Sequence, residues 1–421
     1  MSFDLIIFTF ATGADGANGM NQGRAPLYHA LARQIQGQGN VLVVTHWLSI
    51  FPDVPIRPAN VFRLPFASRF QRMRDNLYVY TPLLFLPMGI VERIPVSLNM
   101  FRHSLGQQVR MAMRQAGMQN TIRVVTVNHP FHHYLLGLVE ESLVVYDCLD
   151  EYSLYGGVSE PVAEVLALER QLTQKVDLVF PTSHVLYDKM RNQHANVHYF
   201  PNAVDTEFFH YVSQADIPVA PALSGIRRPI IGFMGNLTFW YDFALLRAII
   251  QARPYWSYVF IGWISPYPTC VDNIRAIQSQ PNVYVLGRQE FNALPSFLRG
   301  FDVAILPYQT SGAGPTVNPN KMYYYLAAGV PLVATPTPEI AQYGEVISLA
   351  DNPTDFLRAL EQRLSSGRED ERVKQGIAIA RENTWEKRTK GMLEIITAHL
   401  RAKTKKKSMS ERSSSIKKRR K

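Results

Sequence analysis

Short apolar runs alternate with helical patterns along the chain, and this alternation constrains the fold more than any other feature. The first strand-like runs occupy residues 5–10, 41–45, 122–127, 143–146, 178–181 and 197–200. A helical pattern at 26–36 separates the first two, and strands alternating with helices predict a parallel sheet covered on both faces. After a loose segment at 212–225, a second series occupies residues 229–234, 258–262, 283–286, 303–307 and 331–335. The sequence therefore predicts an α/β protein with two doubly wound, Rossmann-like sheets in series.

The length of 421 residues suits two domains, because a single hydrophobic core stops growing at about 250–300 residues. We expect an N-terminal domain at 1–205 and a C-terminal domain at 226–390, followed by a helix end and tail at 391–421. Ligands of doubly wound sheets lie at the carboxyl ends of the strands. Two such domains facing each other would enclose a central cleft, in which the function should lie. The last helical stretch, 369–403, is long enough to return across the domain junction.

The net charge of +10 comes entirely from residues 401–421, which hold eleven Lys or Arg against one acid, Glu411. The body of the protein is therefore neutral, which argues against a specific nucleic-acid partner. A basic run interrupted by serines cannot bury apolar surface and predicts a disordered arm. Such an arm can be a solubilising tail, a contact with an anionic membrane surface or, third, a non-specific nucleic-acid contact.

Cysteine content and apolar segments indicate the compartment. Cys148 and Cys270 are the two cysteines, at no metal or disulfide spacing, which favours a reduced cytoplasm. The N-terminus lacks the basic region of a signal peptide and is better interpreted as a strand. Residues 76–91 are uncharged but interrupted by Pro82 and Pro87, and are shorter than the roughly 20 residues that span a bilayer. We therefore expect a cytoplasmic protein that does not cross a membrane.

The most informative segment is 309–335, QTSGAGPTVNPNKMYYYLAAGVPLVAT. A loop of small residues precedes Asn318 and Pro319, which resemble a helix N-cap and first helical position, and Gly329 resembles a helix stop. A helix N-terminus presents backbone N–H groups and a partial positive charge, and Lys321 adds a full charge. This pattern predicts a phosphate or diphosphate site. The alternative is an ordinary capped connection between two elements.

The run from Asn318 to Pro331 resembles the donor-site motif of family 4 retaining glycosyltransferases of the GT-B type, in particular teichuronic-acid and capsule-type members. Further segments of the same resemblance lie, in order, at 145–152, 177–183, 200–209, 232–242, 260–263, 282–288 and 301–308. The resemblance implies a GT-B fold and a nucleotide-diphospho-sugar as donor substrate, with no other cofactor. It also implies retention at the anomeric carbon and no metal, since helix dipoles and basic residues neutralise the diphosphate in such enzymes.

The resemblance also implies roles for individual residues. The donor diphosphate would be held by Lys321, which would also act in catalysis, and by amides around Thr316, Asn318 and Asn320. Gly235 and Asn236 would approach the diphosphate from the first turn of the C-terminal domain, and Arg288 and Tyr308 would lie near the base. One departure is Tyr324, which stands where the family has a glutamate that accepts hydrogen bonds from the donor ribose. Tyrosine offers one oxygen where a carboxylate offers two, so either the ribose is held differently or activity is weak or lost.

The N-terminal domain has acidic residues directly after a strand, in the segment VYDCLDEY at 145–152. Asp147 and Asp150 are candidate catalytic residues that would orient an acceptor hydroxyl or the transferred sugar. The alternative is that both cap the following loop and helix. His129, His132 and His133 are a weaker acceptor-site candidate, with loop residues or metal ligands as alternatives. The glycines at 13, 16, 19 and 23 suit a flexible acceptor-side loop.

A basic and apolar stretch at 63–100 completes the N-terminal pattern. Arg63, Arg69, Arg72 and Arg74 precede the segment TPLLFLPMGIV. This combination suits a surface that lies on anionic lipid to reach a lipid-linked acceptor, and a buried loop and helix is the alternative. Together with the basic tail, it predicts a peripheral position on the inner face of the plasma membrane.

The sequence thus predicts a glycosyltransferase that moves a sugar to a hydroxyl of a glycan acceptor, lipid-linked or an oligosaccharide, for a cell-surface polysaccharide. Two other classes remain open. A GT-B scaffold without catalysis would act as a binding partner in polysaccharide assembly, and Tyr324 favours this alternative. A nucleotide-sugar epimerase or hydrolase would share the fold and would release nucleotide without an acceptor.

Overall fold

The structure, a computed structural model, describes residues 1–9, 24–45, 48–49, 70–84, 95–155, 162–214, 216–265 and 268–419. The chain divides into two compact units. Unit 1 comprises Met1–Pro181, Met190–Phe200 and Glu386–Lys421, and unit 2 comprises Thr182–Lys189 and Pro201–Trp385. The glycine-rich loop at 13–23, Arg63, Arg69 and residues 85–91 lie outside the described residues.

Unit 1 is built on a seven-stranded sheet with the order β4-β5-β2-β1-β7-β8-β9. Its strands are β1 (Asp4–Phe8), β2 (Val41–Val44), β4 (Phe70–Arg74), β5 (Leu77–Tyr80), β7 (Arg123–Val127), β8 (Leu143–Cys148) and β9 (Leu178–Pro181). All neighbours pair in parallel except β4 with β5. β3 (Leu48–Ser49) pairs separately with β6 (Leu83–Leu84). The inner strands are continuous apolar runs because helices cover both faces of a parallel sheet.

Among the described residues, four helices belong wholly or largely to unit 1, and two short 3₁₀ segments follow strands of its sheet. The helices are α1 (Ala25–Ile35), α2 (Pro95–Gln115), α3 (Val162–Thr173) and α13 (Trp385–Arg419). The 3₁₀ segments are Pro130–Leu135 and Tyr152–Tyr155. The strand order reverses between β1 and β7, so the switch point of this sheet lies where these two strands end.

Unit 2 is built on a six-stranded parallel sheet with the order β12-β11-β10-β13-β14-β15. The strands are β10 (Ile230–Met234), β11 (Ser257–Ile261), β12 (Val283–Gly287), β13 (Val303–Leu306), β14 (Leu332–Ala334) and β15 (Ser348–Leu349). β10 to β12 run outward in one direction and β13 returns beside β10. The switch point, where a doubly wound sheet opens a crevice for ligands, is therefore between the carboxyl ends of β10 and β13.

Nine α-helices surround this sheet or precede it in the chain. They are α4 (His184–Arg191), α5 (Thr206–Val212), α6 (Phe243–Ala252), α7 (Pro268–Gln278), α8 (Leu294–Gly300), α9 (Asn320–Ala327), α10 (Pro338–Ala341), α11 (Pro353–Ser366) and α12 (Glu371–Glu382), counted within the described ranges. Short 3₁₀ segments lie at Pro221–Leu223, Phe291–Ala293, Gly314–Thr316 and Gly367–Glu369.

Each predicted apolar run but one contains a strand, whereas β3, β4, β5, β6 and β15 lie outside the predicted runs. Residues 197–200 contain no named strand, and Val197 makes only an isolated bridge to Val179. Residues 206–225, which fall between the two expected domains and include the loose segment 212–225, belong to unit 2. Phe208, Phe209 and Leu223 are buried there, because this segment packs into the hydrophobic core of the unit.

The predicted single helix at 369–403 is two helices. α12 ends at Glu382 and α13 begins at Trp385, because Asn383 takes a non-helical backbone conformation. The interruption allows Val204 to pair with this segment. The Val204 N–H donates to the Asn383 carbonyl at 3.0 Å, and the Trp385 N–H donates to the Val204 carbonyl at 3.0 Å.

The basic C-terminal segment continues α13 as far as Arg419, which differs from the predicted disordered arm. Met392, Ile396 and Leu400 form a buried stripe at four-residue spacing along the first part of the helix. Packing of that part offsets the cost of helix nucleation, and the following Lys, Arg and Ala residues have favourable helix propensities. Among the described helices, none has both the length and the apolar character needed to cross a membrane.

Candidate functional site

Gly235 begins the turn at the switch point of unit 2, directly after β10. Its φ of +133° is a conformation that glycine adopts readily and other residues rarely do. A Cβ atom at this position would lie 1.6 Å from Cε of Lys321, because the lysine side chain passes against the Gly235 backbone. The structure thus brings together two of the predicted site residues, which are far apart in the sequence.

Lys321 is the second residue of α9, and its ammonium group lies 6.0 Å from the centroid of the Tyr241 ring. Among the described residues, no carboxylate lies within salt-bridge distance of this ammonium group. Tyr241 is fully buried, and its hydroxyl donates to the Tyr308 hydroxyl at 3.2 Å. These two tyrosines also form a backbone bridge between the loops after β10 and β13. A cation beside the switch point and without a carboxylate partner is suited to bind an anionic ligand.

The prediction that Asn318 caps the helix is wrong. α9 begins two residues later, and Pro319, which has no capping side chain, occupies the N-cap position. Asn318 instead is buried, and its Nδ2 donates to Oε2 of Glu339 at 2.6 Å. Its Oδ1 accepts from the backbone N–H of Asn202 at 3.1 Å. Both ends of the amide are engaged by tertiary partners, so the Asn318 side chain does not cap the first turn of α9.

Thr316 does not point its donors at the switch point. Its N–H and its Oγ1 both donate to the Ala313 carbonyl, at 3.1 and 2.8 Å, within the 3₁₀ segment that precedes α9. Gly314 is required in this segment, since a Cβ there would lie 1.8 Å from the Gln309 carbonyl oxygen. The predicted contact between Thr316 and a diphosphate therefore has no free donor in this structure.

Three further predicted residues lie at the carboxyl ends of strands in unit 2. Asn236 follows Gly235 and is exposed, and Arg288 follows β12 and is exposed. Tyr308 follows β13 but is 1% exposed, and its carbonyl oxygen accepts from Oγ1 of Thr335 at 2.7 Å. Arg288 can therefore contact a ligand directly, whereas the Tyr308 side chain packs beneath the surface.

Tyr324 is directed into the core of unit 2. Its ring contacts Phe208 and Phe291 edge-on, with centroid distances of 4.6 and 5.8 Å, and its hydroxyl hydrogen-bonds the backbone of Asp205. Burial, and the nearby Asp205 carboxylate, raise the pKa of the Tyr324 hydroxyl, which is therefore neutral at physiological pH. The side chain fills a packing position, and its oxygen already has a protein partner.

In unit 1, Asp147 is buried at the end of β8 and forms an ion pair with Arg24, which is also buried. Asp150 follows in the coil after β8 and is half-buried. Because the Arg24 guanidinium lies against the Asp147 carboxylate, this ion pair ties the end of β8 to the start of α1. Asp147, one of the two candidate acids on the acceptor side, therefore has an ion-pair partner in the structure.

The histidine cluster forms a 3₁₀ turn beside the switch point of unit 1. Nδ1 of His129 accepts from the Phe131 N–H at 3.3 Å, and Nδ1 of His132 accepts from the Asn128 N–H at 3.4 Å. Burial lowers the pKa of His133 to about 4, although a hydrogen bond with the Pro130 carbonyl opposes the shift. Within the described ranges, no group of three His, Cys, Asp or Glu side chains is placed to hold a metal ion.

Glu339 is the site residue that sequence reasoning missed. It is 0% exposed, and one carboxylate oxygen accepts from both the backbone N–H and Nδ1 of His184, at 2.6 and 2.8 Å. The other oxygen accepts from Asn318. In the sequence Glu339 is an acidic residue in the first turn after Pro338, which is typical of any helix start. That pattern carries no signal that the carboxylate is buried.

Comparisons with known proteins give the following likenesses. Residues 228–366 match the family model of the glycosyl transferases group 1. TuaH of Bacillus subtilis strain 168, described as a teichuronic acid biosynthesis glycosyltransferase, is 27% identical over 257 residues. The match covers 58% of this chain and 64% of TuaH, so the chain spans slightly less than two thirds of that relative.

Solved structures resemble the chain over nearly its whole length. Sucrose-phosphate synthase from Thermosynechococcus elongatus has a TM-score of 0.67 at 14% identity, covering 96% of this chain and all of that one. Anabaena HepE, crystallised with UDP and glucose, has a TM-score of 0.59 at 12% identity, covering 93% and 99%. A UDP-forming trehalose-phosphate synthase from Burkholderia xenovorans has a TM-score of 0.61 at 13% identity, covering 95% and 99%. The resemblance to glycosyltransferases is confirmed over residues 228–366, and the predicted fold of two Rossmann-like units is confirmed.

Proposed function

Because residues 228–366 carry a glycosyl transferases group 1 domain on a GT-B fold, we propose that the protein transfers a sugar from a nucleotide-diphospho-sugar to a glycan hydroxyl. The observation that carries this proposal is the packing of Lys321 against Gly235 at the switch point of unit 2. A lysine ammonium without a carboxylate partner among the described residues, in the first turn of α9, is a site for a diphosphate.

The proposed mechanism depends on stabilising the leaving group. When the bond between the sugar and the diphosphate breaks, negative charge develops on the nucleoside diphosphate. Lys321 would donate to the phosphate oxygens, and the amino end of α9 would present its dipole to the same charge. These interactions strengthen as the charge develops, so they lower the barrier more than they strengthen substrate binding. The mechanism depends more on holding the acceptor hydroxyl close to the anomeric carbon of the donor sugar than on a strong base.

The donor and acceptor classes come from the relatives. The HepE structure contains UDP and glucose, which supports a nucleotide-sugar donor for this chain. The assignment of TuaH to teichuronic acid biosynthesis supports an acceptor that is a growing cell-surface polysaccharide, lipid-linked or an oligosaccharide. We extend the proposal to retention of anomeric configuration without a metal, as the motif resemblance implies. Asp150 and Asp147, the latter through Arg24, are the acceptor-side residues of this proposal.

The proposed location is the cytoplasmic side of a membrane, in peripheral contact with anionic lipid. α13 extends the basic segment as a helix as far as Arg419, which concentrates its positive charge along one element. Of the arginines expected at a lipid surface, Arg72 lies on β4 and pairs with Asp75 at 3.0 Å. This pairing reduces the contribution of Arg72, so the proposed lipid contact rests mainly on the C-terminal segment. Each Lys or Arg near an anionic surface contributes about 1 kcal/mol.

A transfer assay tests the proposed function. The protein would be incubated with UDP-, GDP- and dTDP-sugars and a lipid-linked or oligosaccharide acceptor, with mass-spectrometric detection of the products. We expect the acceptor to gain the mass of one sugar residue, with release of one nucleoside diphosphate. Release of nucleotide without acceptor modification would contradict transfer and favour a hydrolase.

A non-catalytic scaffold is the second candidate function, because Tyr324 occupies a packing position where the family has a ribose-binding glutamate. The same assay separates the two functions when it is combined with calorimetry. A scaffold would show no turnover with any donor and would show no donor binding, whereas a transferase would show both.

A further inference from the structure

A chain of hydrogen bonds, buried at its centre and part-buried at both ends, lies behind the start of α9, and the proposed mechanism does not use it. It runs from His184 through the carboxylate of Glu339 to the side-chain amide of Asn318, and from there to Asn202. All four residues lie in unit 2. Asn202 is joined to Asn318 twice, since its Nδ2 also donates to the Asn318 carbonyl at 2.7 Å. We call these four residues the Glu339 network.

The direction of every hydrogen bond in the Glu339 network follows from the carboxylate. An ionised carboxylate accepts only, so Asn318 must turn its NH₂ group toward Glu339. The Oδ1 of Asn318 then faces the N–H of Asn202, which is a donor. Reversal of the Asn318 amide would place donor against donor at Asn202. The buried carboxylate therefore selects one orientation of the Asn318 side chain and, through it, the path of the backbone that enters α9 at Asn320.

We propose that Glu339 is a positioning residue for the diphosphate. By holding Asn318, it keeps the amino end of α9 and the base of the Lys321 side chain in the orientation that meets an anion beside Gly235. The inference rests on the proposed function, and it adds a residue that touches neither the donor nor the acceptor. Buried carboxylates with charge-assisted hydrogen bonds hold geometry more strongly than neutral pairs do.

The sign of the expected effect separates positioning from electrostatics. Glu339→Gln removes a negative charge from behind a proposed anion site, and Coulomb's law alone would then strengthen anion binding. The same substitution introduces an NH₂ group at position 339. In one amide orientation this group faces the Asn318 Nδ2 donor, and in the other it faces the His184 N–H donor. In both orientations one hydrogen bond of the network is lost. If Glu339 acts by positioning, Glu339→Gln should bind the diphosphate more weakly than wild type. If it acts by its charge alone, Glu339→Gln should bind the diphosphate more tightly.

The test compares nucleoside diphosphates with nucleosides by calorimetry, at a temperature well below the melting temperature of each variant. UDP, GDP and dTDP are titrated into the full chain, and the tightest is compared with its nucleoside. For Glu339→Gln we expect at least a tenfold rise in Kd for the diphosphate and less than a twofold change for the nucleoside. Glu345→Gln is the matched control, because Glu345 is exposed on the same stretch of chain and its side chain lies outside the network. Its Kd values should stay within twofold of wild type.

A reciprocal exchange keeps the proposal testable if Glu339→Gln does not fold. In the double variant Glu339→Gln with Asn318→Asp, the new carboxylate accepts from Gln Nε2 and from the Asn202 N–H, which restores every hydrogen-bond direction between these positions. We expect the double variant to melt above both single variants and to recover at least threefold of the lost diphosphate affinity.

Three results would overturn the proposal. Unchanged or tighter diphosphate binding by Glu339→Gln would mean that the network does not position the site. Equal losses for diphosphate and nucleoside would indicate a general distortion. A double variant no better than the single ones would contradict the assigned directions. Wild-type protein that binds none of the three diphosphates would overturn the proposed function as well, which distinguishes that failure from the others.

Discussion

At the scale of single residues, the site depends on contacts between positions that are distant in the sequence. Gly235 and Lys321 meet because the glycine lacks the Cβ that would occupy the space of the lysine side chain. Neither residue is unusual in its own segment. The resemblance to known donor-site motifs predicted both, whereas local pattern alone identified only the cation near a helix start.

Tyr324 leads to a prediction about the donor nucleoside. Its hydroxyl is held by the backbone of Asp205 between two aromatic rings, so it does not offer a free acceptor to ribose hydroxyls. The resemblance implies that the family holds ribose at this position, and loss of that contact should remove discrimination against deoxyribose. We expect UDP and 2′-deoxy-UDP to bind with Kd values within about threefold of each other, measured by calorimetry.

Tyr324→Phe is the control for this prediction. The substitution keeps the ring between Phe208 and Phe291 and removes only the hydroxyl, at a cost of about 1 kcal/mol for one lost hydrogen bond. The ratio of the two Kd values should not change. A tenfold preference of the wild type for UDP would show that the ribose hydroxyls are held by another group.

At the scale of elements, α9 is fixed at both ends. The Glu339 network holds the segment before it, and Arg368 holds its carboxyl end. The Arg368 guanidinium donates to the carbonyls of Ala328 and Gly329 at 2.9 Å each, and to those of Leu298 and Phe301 at the end of α8 at 2.6 and 3.0 Å. Burial lowers the pKa of Arg368 to about 10, so the side chain is still charged at neutral pH, where it complements two helix dipoles.

Removal of this guanidinium should destabilise unit 2. Arg368→Met removes the guanidinium donor from four carbonyl oxygens at the ends of α8 and α9, and we expect a loss of about 3 kcal/mol in the free energy of unfolding. The melting temperature should fall by roughly 6–12 °C in a thermal scan. Arg358→Met is the control, because Arg358 is exposed and, among the described residues, forms an ion pair with Asp355 alone; it should cost less than about 0.5 kcal/mol. Equal losses for the two variants would contradict the role of Arg368.

The basic end of α13 carries the prediction about membranes. Truncation before Lys407 leaves the buried stripe of Met392, Ile396 and Leu400 intact, together with Lys403, which pairs with Asp177 at 2.6 Å. The truncated protein should therefore fold and transfer sugar to a soluble acceptor at the wild-type rate. Cosedimentation with vesicles containing about 30% anionic lipid should fall at least tenfold, since seven basic residues are lost.

Neutral vesicles are the control for the truncation, and neither protein should cosediment with them. Truncated protein that cosediments with anionic vesicles as well as wild type does would place the lipid contact elsewhere in the chain.

The sequence predicts the positions of most strands more accurately than it predicts where the helices between them begin. Buried parallel strands are continuous apolar runs, so most strands lie within two or three residues of the predicted ranges. The start of α9 was placed too early because Asn318 is a good N-cap by type. Its side chain is captured instead by Glu339, 21 residues away, and by Asn202, 116 residues away. A local pattern cannot reveal that a tertiary partner competes for a capping side chain.

At the scale of the whole molecule, the sequence predicted two Rossmann-like units correctly, but it did not show how the chain is shared between them. The chain passes from one unit to the other after Pro181, Lys189, Phe200 and Trp385. The residues at these points are ordinary members of strands, helices and short turns. Only the packing of Phe208 and Phe209 into the core of unit 2, and the pairing of Val204 with Asn383 and Trp385, show where each segment belongs.

The central claim is that Lys321 and the start of α9 bind a nucleoside diphosphate, and calorimetric titration of wild type and Lys321→Ala tests it most directly. Lys374→Ala, at an exposed lysine on α12, is the control. We predict that the wild type binds one of UDP, GDP or dTDP with one site per chain. Lys321→Ala should bind that ligand at least 30-fold more weakly, with an unchanged melting temperature, and Lys374→Ala should bind it as wild type does. Equal affinity of Lys321→Ala and wild type would contradict the account.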